Sequence, residues 1–233
     1  MLAILSDIHG NLAALEAVVA NARSRGCTRF ISLGDVVGYY SKPGECIDLL
    51  RSLGATNILG NHDSYITMNE SCPRSRVVTE IIQYQKGILS AAQVAWLGES
   101  LDMLRESDYL FVHGGPENTR DQYLYSVSPA IIPDGVRILF SGHTHVQTLA
   151  RFGDRAYCNP GSIGQPRDGD NRAAYAIVDD SEVSLHRVTY DIQQTADAMK
   201  SAGFEPFTYQ NLFHGTQIGG RVDQIRIIQS KED

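Results

Sequence analysis

The apolar positions of the first sixty residues alternate between two spacings. Short apolar runs predict strands, and the stretches between them repeat apolar residues every three or four positions, which predicts amphipathic helices. Asn11 precedes the first helix as a cap, and Gly26 and Gly54 end the two helices. This β-α-β-α-β order is typical of a parallel sheet with helices on its faces. The predicted strands are 2–5, 29–34 and 56–60, and the predicted helices are 12–26 and 44–54.

The pattern changes in the second half of the chain. A helical region at 74–99, broken near Gly87, is followed by apolar stretches joined by tight turns, which predict strands. A Pro- and Tyr-containing insertion occupies 117–135. No linker divides the chain, so we predict a single domain, 1–233, of two packed sheets, ending in a helix at 191–202 and a polar tail. The later strands are predicted within 100–114, 136–142, 146–159 and 173–190.

Composition narrows the class of protein. Of 233 residues, 42% are apolar and 20% are charged, as in ordinary soluble proteins. The net charge of −7 opposes the binding of long nucleic acid through its phosphates. No apolar run has membrane-spanning length and no basic region precedes the first strand, so we expect neither a membrane span nor a cleaved signal peptide. The four cysteines lack a C-x-x-C pair, which argues against a zinc ribbon or a disulfide framework and favours cytoplasmic thiols. They are Cys27, Cys46, Cys72 and Cys158.

Polar clusters follow five of the predicted strands. Ligands of open α/β sheets lie at the carboxyl ends of strands, so these five clusters are expected to converge. Asp7 and His9, two residues apart, would project to the same side if the chain stays extended. Five of the seven histidines lie in the clusters, and only His186 and His214 lie elsewhere. The clusters are SDIHGN (6–11), GDVVGY (34–39), GNHDSY (60–65), FVHGGP (111–116) and SGHTHVQ (141–147).

The side chains gathered in this way form a mixed set of imidazoles, carboxylates and one amide. Such a set suits Mn, Fe or Zn better than Mg or Ca. It is too large for one ion but fits two ions that share a bridging carboxylate, and two divalent ions would give a local charge of about +2 that attracts phosphate. The alternative is that each residue is only a turn or cap residue. The candidate ligands are Asp7, His9, Asp35, Asn61, His113, His143 and His145.

The five clusters resemble, in order, the motifs of the calcineurin-like metallophosphoesterases: D-x-H, G-D, G-N-H-D/E, H and G-H-x-H. The resemblance runs from Asp7 to His145 and continues through NPGS at 159–162, which is similar to the small bacterial and archaeal phosphodiesterase branch. It implies an α/β fold, a four-layer α-β-β-α sandwich with two mixed β-sheets, holding two metal ions.

The resemblance also implies a role for each motif residue. Asp7, His9 and His145 would bind one metal ion, Asn61, His113 and His143 the other, and Asp35 would bridge them. His62 would be the catalytic histidine and Asp63 its supporting carboxylate.

Elementary chemistry agrees with this assignment. Two metal ions can hold a hydroxide and the phosphoryl oxygens of an in-line displacement, and an imidazole can protonate the leaving oxygen. His62 follows the proposed ligand Asn61 directly, so it would lie near the metals without binding one, and Asp63 could fix its tautomer. The alternatives are that His62 only donates a hydrogen bond to a metal ligand, and that Asp63 only caps the helix that follows it.

We therefore predict a cytoplasmic enzyme that hydrolyses small phosphodiesters or nucleotide phosphoanhydrides, with a small phosphorylated partner and no membrane or long nucleic acid. A homo-oligomer is compatible with the sequence. Protein Ser/Thr phosphatases and symmetric dinucleoside-tetraphosphate hydrolases of this superfamily carry an arginine four residues after the G-D aspartate. Tyr39 stands at that position, which counts against both activities. The alternatives are a phosphomonoesterase or phosphoprotein phosphatase, and a non-catalytic scaffold that resembles the retromer subunit, which lacks the histidine present here as His62.

Further residues near the clusters have two interpretations. Gly10 and Asn11 could bind the substrate phosphate at the N-terminus of the first helix, or serve only as its cap. Asn61 is a second candidate for contact with the substrate. Five tyrosines and two arginines are predicted to be ordinary loop and surface residues. They are Tyr39, Tyr40, Tyr65, Tyr123, Tyr125, Arg167 and Arg172.

Overall fold

The chain forms twelve strands and six α-helices in the computed structural model, which describes residues 1–72 and 75–229. Arg74, where the predicted helical region begins, and the last four residues of the tail lie outside the described part. The helices are α1 (Leu12–Ser24), α2 (Pro43–Ser52), α3 (Asn61–Thr67), α4 (Arg76–Ile88), α5 (Ala91–Gly98) and α6 (Ile192–Ser201). The strands are β1 (Leu2–Leu5), β2 (Arg29–Ser32), β3 (Thr56–Asn57), β4 (Leu104–Glu106), β5 (Tyr109–Phe111), β6 (Ser126–Val127), β7 (Ile138–Phe140), β8 (Thr148–Phe152), β9 (Arg155–Asn159), β10 (Ala173–Asp179), β11 (Glu182–Val188) and β12 (Arg226–Ile227).

The first sheet has the strand order β11-β10-β1-β2-β3. Strands β1, β2 and β3 are parallel, as the β-α-β-α-β pattern predicts. The β10–β11 hairpin, from the far end of the chain, adds to the free edge of β1 in the antiparallel direction. The sheet is therefore mixed, and its parallel half carries the first three polar clusters.

The second sheet has the order β4-β5-β7-β9-β8. Its centre is parallel, because β5, β7 and β9 run side by side, and an antiparallel strand closes each edge. The fourth and fifth polar clusters follow β5 and β7. The predicted α/β fold with two mixed sheets is confirmed.

Apolar side chains alternate between two cores along the second sheet. Phe111 and Phe140 point towards the first sheet and stack with ring centroids 4.8 Å apart. Leu110 and Leu139 point the other way, into a core that the insertion 117–135 covers with Leu124, Val127 and Ile132. On the outer face of the first sheet, α1 buries Leu15 and Val18. The insertion thus seals the second sheet.

Three local features differ from the sequence patterns. Helix α4 runs through Gly87, and the break comes at Ser90, whose hydroxyl accepts a hydrogen bond from Gln93 N and caps α5. Strand β3 is only two residues long. The tail folds into 3₁₀ turns whose Tyr209 and Leu212 pack on Tyr40, so it is part of the core rather than a polar extension.

The described residues also bear on two broader predictions. All four cysteines are free thiols, and three of them are buried. Within residues 1–72 and 75–229, none of the helices is long and apolar enough to cross a membrane.

Candidate metal centre

The ligand residues leave the extended conformation at the ends of their strands. Strand β1 ends at Leu5, and both Asp7 (φ 52°) and His9 (φ 53°) adopt left-handed backbone conformations. The prediction that they share a side because the chain stays extended is therefore wrong. Backbone hydrogen bonds to the next loop hold them instead, from Asp7 N to Gly34 O (3.0 Å) and from His9 N to Asp35 O (2.9 Å). Asp35, His143 and His145 also have positive φ values. Residues other than glycine adopt such values at an energetic cost, and often at functional sites.

One group of ligand atoms comes from Asp7, His9 and His145, which are all buried. His145 Nε2 lies 3.2 Å from Asp7 Oδ1 and 3.1 Å from His9 Nε2. The other carboxylate oxygen of Asp7 accepts hydrogen bonds from Ser6 Oγ (2.6 Å) and His143 N (3.1 Å), which leaves Oδ1 facing the imidazoles. Three atoms that can donate lone pairs thus converge on one point.

A second group comes from Asn61, His113 and His143. His113 Nε2 lies 3.1 Å from Asn61 Oδ1 and 3.0 Å from His143 Nδ1. Asn61 is the first residue of α3, and the two histidines follow β5 and β7, so this group joins the two sheets.

Asp35 lies between the two groups. Its Oδ2 atom is 3.7 Å from His9 Nε2 in the first group and 3.5 Å from His113 Nε2 in the second. Its Oδ1 atom accepts a hydrogen bond from His62 N (2.8 Å), which directs Oδ2 towards both imidazoles.

Backbone carbonyls fix the orientation of three imidazoles. His9 Nδ1 lies 2.8 Å from Val37 O, and the same nitrogen of His113 and of His145 faces a backbone carbonyl. A proton on Nδ1 leaves the Nε2 lone pair free for a metal, which is the usual arrangement of metal-bound histidine.

The electrostatics of the cluster favour a cation. Burial raises the pKa of Asp35 well above its usual range, and the carboxylates of Asp63 and Asp7 raise it further. Burial lowers the pKa of His9 and His143, which keeps both imidazoles neutral. Asp7 Oδ1 and His143 Nε2 are buried without a hydrogen-bond partner. Neutral imidazoles offer lone pairs to a metal ion, and its positive charge would stabilise the unpartnered oxygen of Asp7 and the buried carboxylate of Asp35. The residues therefore fit a metal ion.

His62 lies at the rim of the cluster with its ring against Gly38. Its Nε2 atom is 3.9 Å from Asp35 Oδ2, and its buried Nδ1 has no hydrogen-bond partner. Together with His9 and Asp35 it forms a third group of atoms that could hold a metal ion. Burial is the largest of the effects that lower its pKa.

The predicted contact between Asp63 and the imidazole of His62 is wrong. Both oxygens of Asp63 accept backbone hydrogen bonds instead, from Asp35 N (2.9 Å), Val36 N (2.9 Å), Val37 N (3.2 Å) and Gly60 N (3.2 Å). Asp63 is the third residue of α3, so its side chain points back over the helix N-terminus. It caps that helix and holds the loop that carries Asp35.

Gly10 and Asn11 have structural contacts, and Asn11 caps α1, as one of the two interpretations of the sequence predicts. Gly10 N donates to Val36 O (2.8 Å), and Asn11 N donates to Ile8 O (3.0 Å). The Asn11 side chain caps α1 and donates to Gly164 O (2.9 Å). These bonds use the amides of both residues, and a contact with the substrate phosphate stays a prediction.

The NPGS segment supports two ligand loops. Asn159 Nδ2 donates to Gly142 O (2.8 Å) and Thr144 Oγ1 (3.0 Å), which holds the turn that carries His143 and His145. Ser162 Oγ donates to Asp7 O (2.7 Å).

Arg167 and Tyr123, which the sequence predicts to be ordinary surface and loop residues, both lie beside the cluster. Arg167, predicted to lie on the surface, is only 6% exposed, whereas Arg172 is exposed and pairs with Asp170, as expected of a surface residue. Tyr123 stacks on the ring of His143 at a centroid distance of 3.7 Å. Neither residue has a local sequence signal, because long-range packing alone brings both of them to the site.

Comparison with known proteins gives consistent results. A family model for the calcineurin-like phosphoesterase superfamily domain matches residues 1–182. The crystal structure of a metallophosphoesterase from Sphaerobacter thermophilus is 32% identical with a TM-score of 0.81, and the match covers 92% of this chain and 99% of that chain. An uncharacterized protein of Methanocaldococcus jannaschii is 32% identical over 92% of this chain and 98% of its own length. Phosphodiesterase YfcE of Escherichia coli K12 is 28% identical over 77% of this chain and 88% of its own length.

The family model covers well over half of the chain, and its region contains every residue of the two ligand groups and Asp35. The same motifs that build the cluster are those on which the resemblance rests. The chain therefore belongs to the calcineurin-like phosphoesterase superfamily.

Proposed function

We propose that the protein hydrolyses small phosphodiesters or nucleotide phosphoanhydrides at a centre of two metal ions, of the Mn, Fe or Zn type. Asp7, His9 and His145 would hold one ion, and Asn61, His113 and His143 the other.

The position of Asp35 carries the proposal. Its Oδ2 atom lies 3.7 Å from a donor nitrogen of one group and 3.5 Å from a donor nitrogen of the other. A carboxylate that lies between two separate sets of ligands supports two ions better than one.

Bound metal ions would activate water and neutralise the phosphoryl oxygens. The protein itself supplies orientation and a proton. His62 Nε2 faces the cluster, and we assign it the proton that the leaving oxygen takes up. Burial lowers its pKa, but the negative charge of a phosphoester bound beside it would favour the imidazolium form.

The substitution Asp35→Asn tests the two-metal centre. The variant should lose one or both ions, because the amide removes the charge shared by both groups. Elemental analysis of metal-loaded protein is the measurement, and Asp102→Asn, at an exposed position, is the control. Two tightly bound ions per chain in Asp35→Asn would refute the bridging role.

A substrate comparison tests the reaction. The name of the E. coli relative, a phosphodiesterase, supports a diester. We expect the protein loaded with Mn, Fe or Zn to hydrolyse bis-nitrophenyl phosphate faster than nitrophenyl phosphate. A preference for the monoester would instead favour phosphomonoesterase activity. Tight metal binding without hydrolysis of either ester or of a nucleotide phosphoanhydride would favour the scaffold.

A further inference from the structure

A cavity of about 480 Å³ lies beside the metal centre. The ring of Tyr39 in its wall packs edge-on against His9, with centroids 4.6 Å apart, and Tyr123 stacks on His143. The cavity therefore adjoins both ligand groups, and its volume is typical of sites for small molecules. It is lined by Tyr39, Tyr123, Tyr125, Arg167, Gln217 and Arg221, among others.

Arg167 is the unusual residue of this cavity, because its charge is buried without an ionic partner. Its guanidinium donates only to neutral groups: Nε and Nη2 to Gln165 Oε1 (3.0 and 2.7 Å), and Nη2 to Tyr39 Oη (3.0 Å). Among the residues that the structure describes, no carboxylate oxygen lies within 4.0 Å of it, and its Nη1 makes no hydrogen bond. Buried charges in proteins are normally paired.

The other arginines near this region show the usual pattern. Arg187 pairs with Asp168, Arg172 with Asp170, and Arg221 with Asp223. The missing partner of Arg167 is therefore a feature of this position and not of the region, and a negatively charged ligand would supply it.

Arg167 lies directly beside the metal centre. Its backbone N donates a hydrogen bond to the backbone O of the proposed ligand His145 (3.2 Å). With metal ions in the cluster, Arg167 would face charges of its own sign, which an anion between them would relieve.

Residues 217–223, the C-terminal segment, contact Arg167 and the cavity. Asp223 N donates to Arg167 O (2.7 Å), and Tyr125 Oη donates to Asp223 Oδ2 (3.4 Å). Gln217 and Arg221 form part of the cavity wall, beyond the region that the family model matches. The segment thus fixes the backbone of Arg167 and narrows the cavity to the scale of a small ligand.

We propose that Arg167 binds a phosphoryl oxygen of the substrate, and that the substrate is a small organophosphate held in the cavity walled by Tyr39, Tyr123 and Tyr125. This rests on the proposed phosphoesterase function. The free side of the guanidinium would give charge-assisted hydrogen bonds to the phosphate, and Tyr39 and Gln165 hold the planar group in place.

Inorganic phosphate is the probe, titrated into metal-loaded protein by calorimetry. Arg167→Gln and Arg167→Met both remove the charge, and they should bind phosphate about 10- to 100-fold more weakly than the unmodified protein. Arg172→Gln, the matched control, should bind it unchanged. Elemental analysis and thermal unfolding verify metal content and folding. Unchanged phosphate affinity in either folded Arg167 variant would overturn the proposal.

A measurement on the unmodified protein gives an independent answer. Phosphate should protect Arg167, but not Arg172, from phenylglyoxal, as read by mass spectrometry of peptides. Equal labelling of Arg167 with and without phosphate would overturn the assignment.

Phosphate affinity and phenylglyoxal labelling are both measured without enzyme turnover. If phosphate binds through Arg167 but no ester is hydrolysed, the proposed function fails alone; if esters are hydrolysed with unchanged kcat/KM in Arg167→Gln, this inference fails alone.

Discussion

His62 and Asp63 are neighbours in the chain, but their side chains contact different parts of the site. The imidazole of His62 faces Asp35 Oδ2, whereas both oxygens of Asp63 accept hydrogen bonds from backbone amides. A proton donor and a backbone anchor should respond differently to substitution, and two variants separate these roles.

His62→Ala should show a dependence on the leaving group. Nitrophenolate leaves readily as an anion, whereas an alkoxide needs a proton, and general acid catalysis contributes about 10²–10⁴-fold. We expect the variant to lose most of that range in kcat/KM on a nucleoside or alkyl ester and much less on the nitrophenyl ester, with both metals retained. His214→Ala, outside the site, is the control. Equal losses on the two substrates would remove the general-acid role, and loss of a metal ion would make His62 a ligand.

Asp63→Asn should instead act through the fold. The amide replaces one acceptor oxygen with a donor that faces backbone N–H groups, which costs about 2 kcal/mol or more of unfolding free energy. Because the loop that carries Asp35 depends on these bonds, kcat/KM should fall by the same factor on both substrates. Denaturant titration and the two kinetic assays measure this. A loss confined to the alkyl ester would restore the tautomer-fixing role.

At the scale of elements, α4 holds the loop beside His62 through one buried residue. Gln85 Oε1 accepts from Gly38 N (2.8 Å), and its Nε2 donates to Tyr40 O (2.7 Å) and Gly38 O (3.2 Å). The helix therefore sets the position of Tyr39, which lies between these two residues and supports Arg167.

Gln85→Leu should destabilise the protein by about 2–4 kcal/mol, because it leaves buried backbone groups without partners. The change is also expected to lower kcat/KM through displacement of residues 38–40, with metal content retained. Urea unfolding and kinetics are the measurements. Gln83→Leu on the exposed face of the same helix is the matched control. If the two variants had equal stability, the loop would not depend on this side chain.

The stability of the whole molecule should depend on pH through the titratable residues of the metal cluster. Burial lowers the pKa of four clustered histidines below 6.5, so below that pH the unfolded chain binds protons that the folded, metal-free protein does not. The histidines therefore contribute to the unfolding free energy above pH 6.5, and this contribution is lost as the pH falls. Two buried carboxylates have raised pKa values, so they bind protons more readily in the folded protein and oppose this loss of stability, but they are fewer than the histidines. The histidines are His9, His62, His143 and His145, and the carboxylates are Asp35 and Asp63.

We expect the metal-free protein to lose about 1–3 kcal/mol of unfolding free energy between pH 7.5 and 5.5. Metal binding should raise the melting temperature at pH 7.5 and less at pH 5.5, because the ligands must be deprotonated. Thermal and urea unfolding with and without a chelator measure both effects. Stability that is constant or rises on acidification would contradict these pKa directions.

The sequence by itself determined the elements and the composition of the cluster. Strand β1, helix α1 and the five polar clusters are local patterns, because the spacing of apolar residues and the caps act within a few positions of the chain. The carboxyl ends of parallel strands share one edge, so the meeting of Asp7, Asp35 and Asn61 also followed from the order of elements.

Only the tertiary structure decided how the site residues are used. The left-handed backbone of Asp7 and His9 depends on hydrogen bonds to the loop of Asp35, almost thirty positions away. The burial of Arg167 depends on Tyr39 and on the C-terminal segment, which are far apart in the chain. Such contacts leave no periodic signal in the sequence, because each joins single residues from elements that come together only when the sheets have packed.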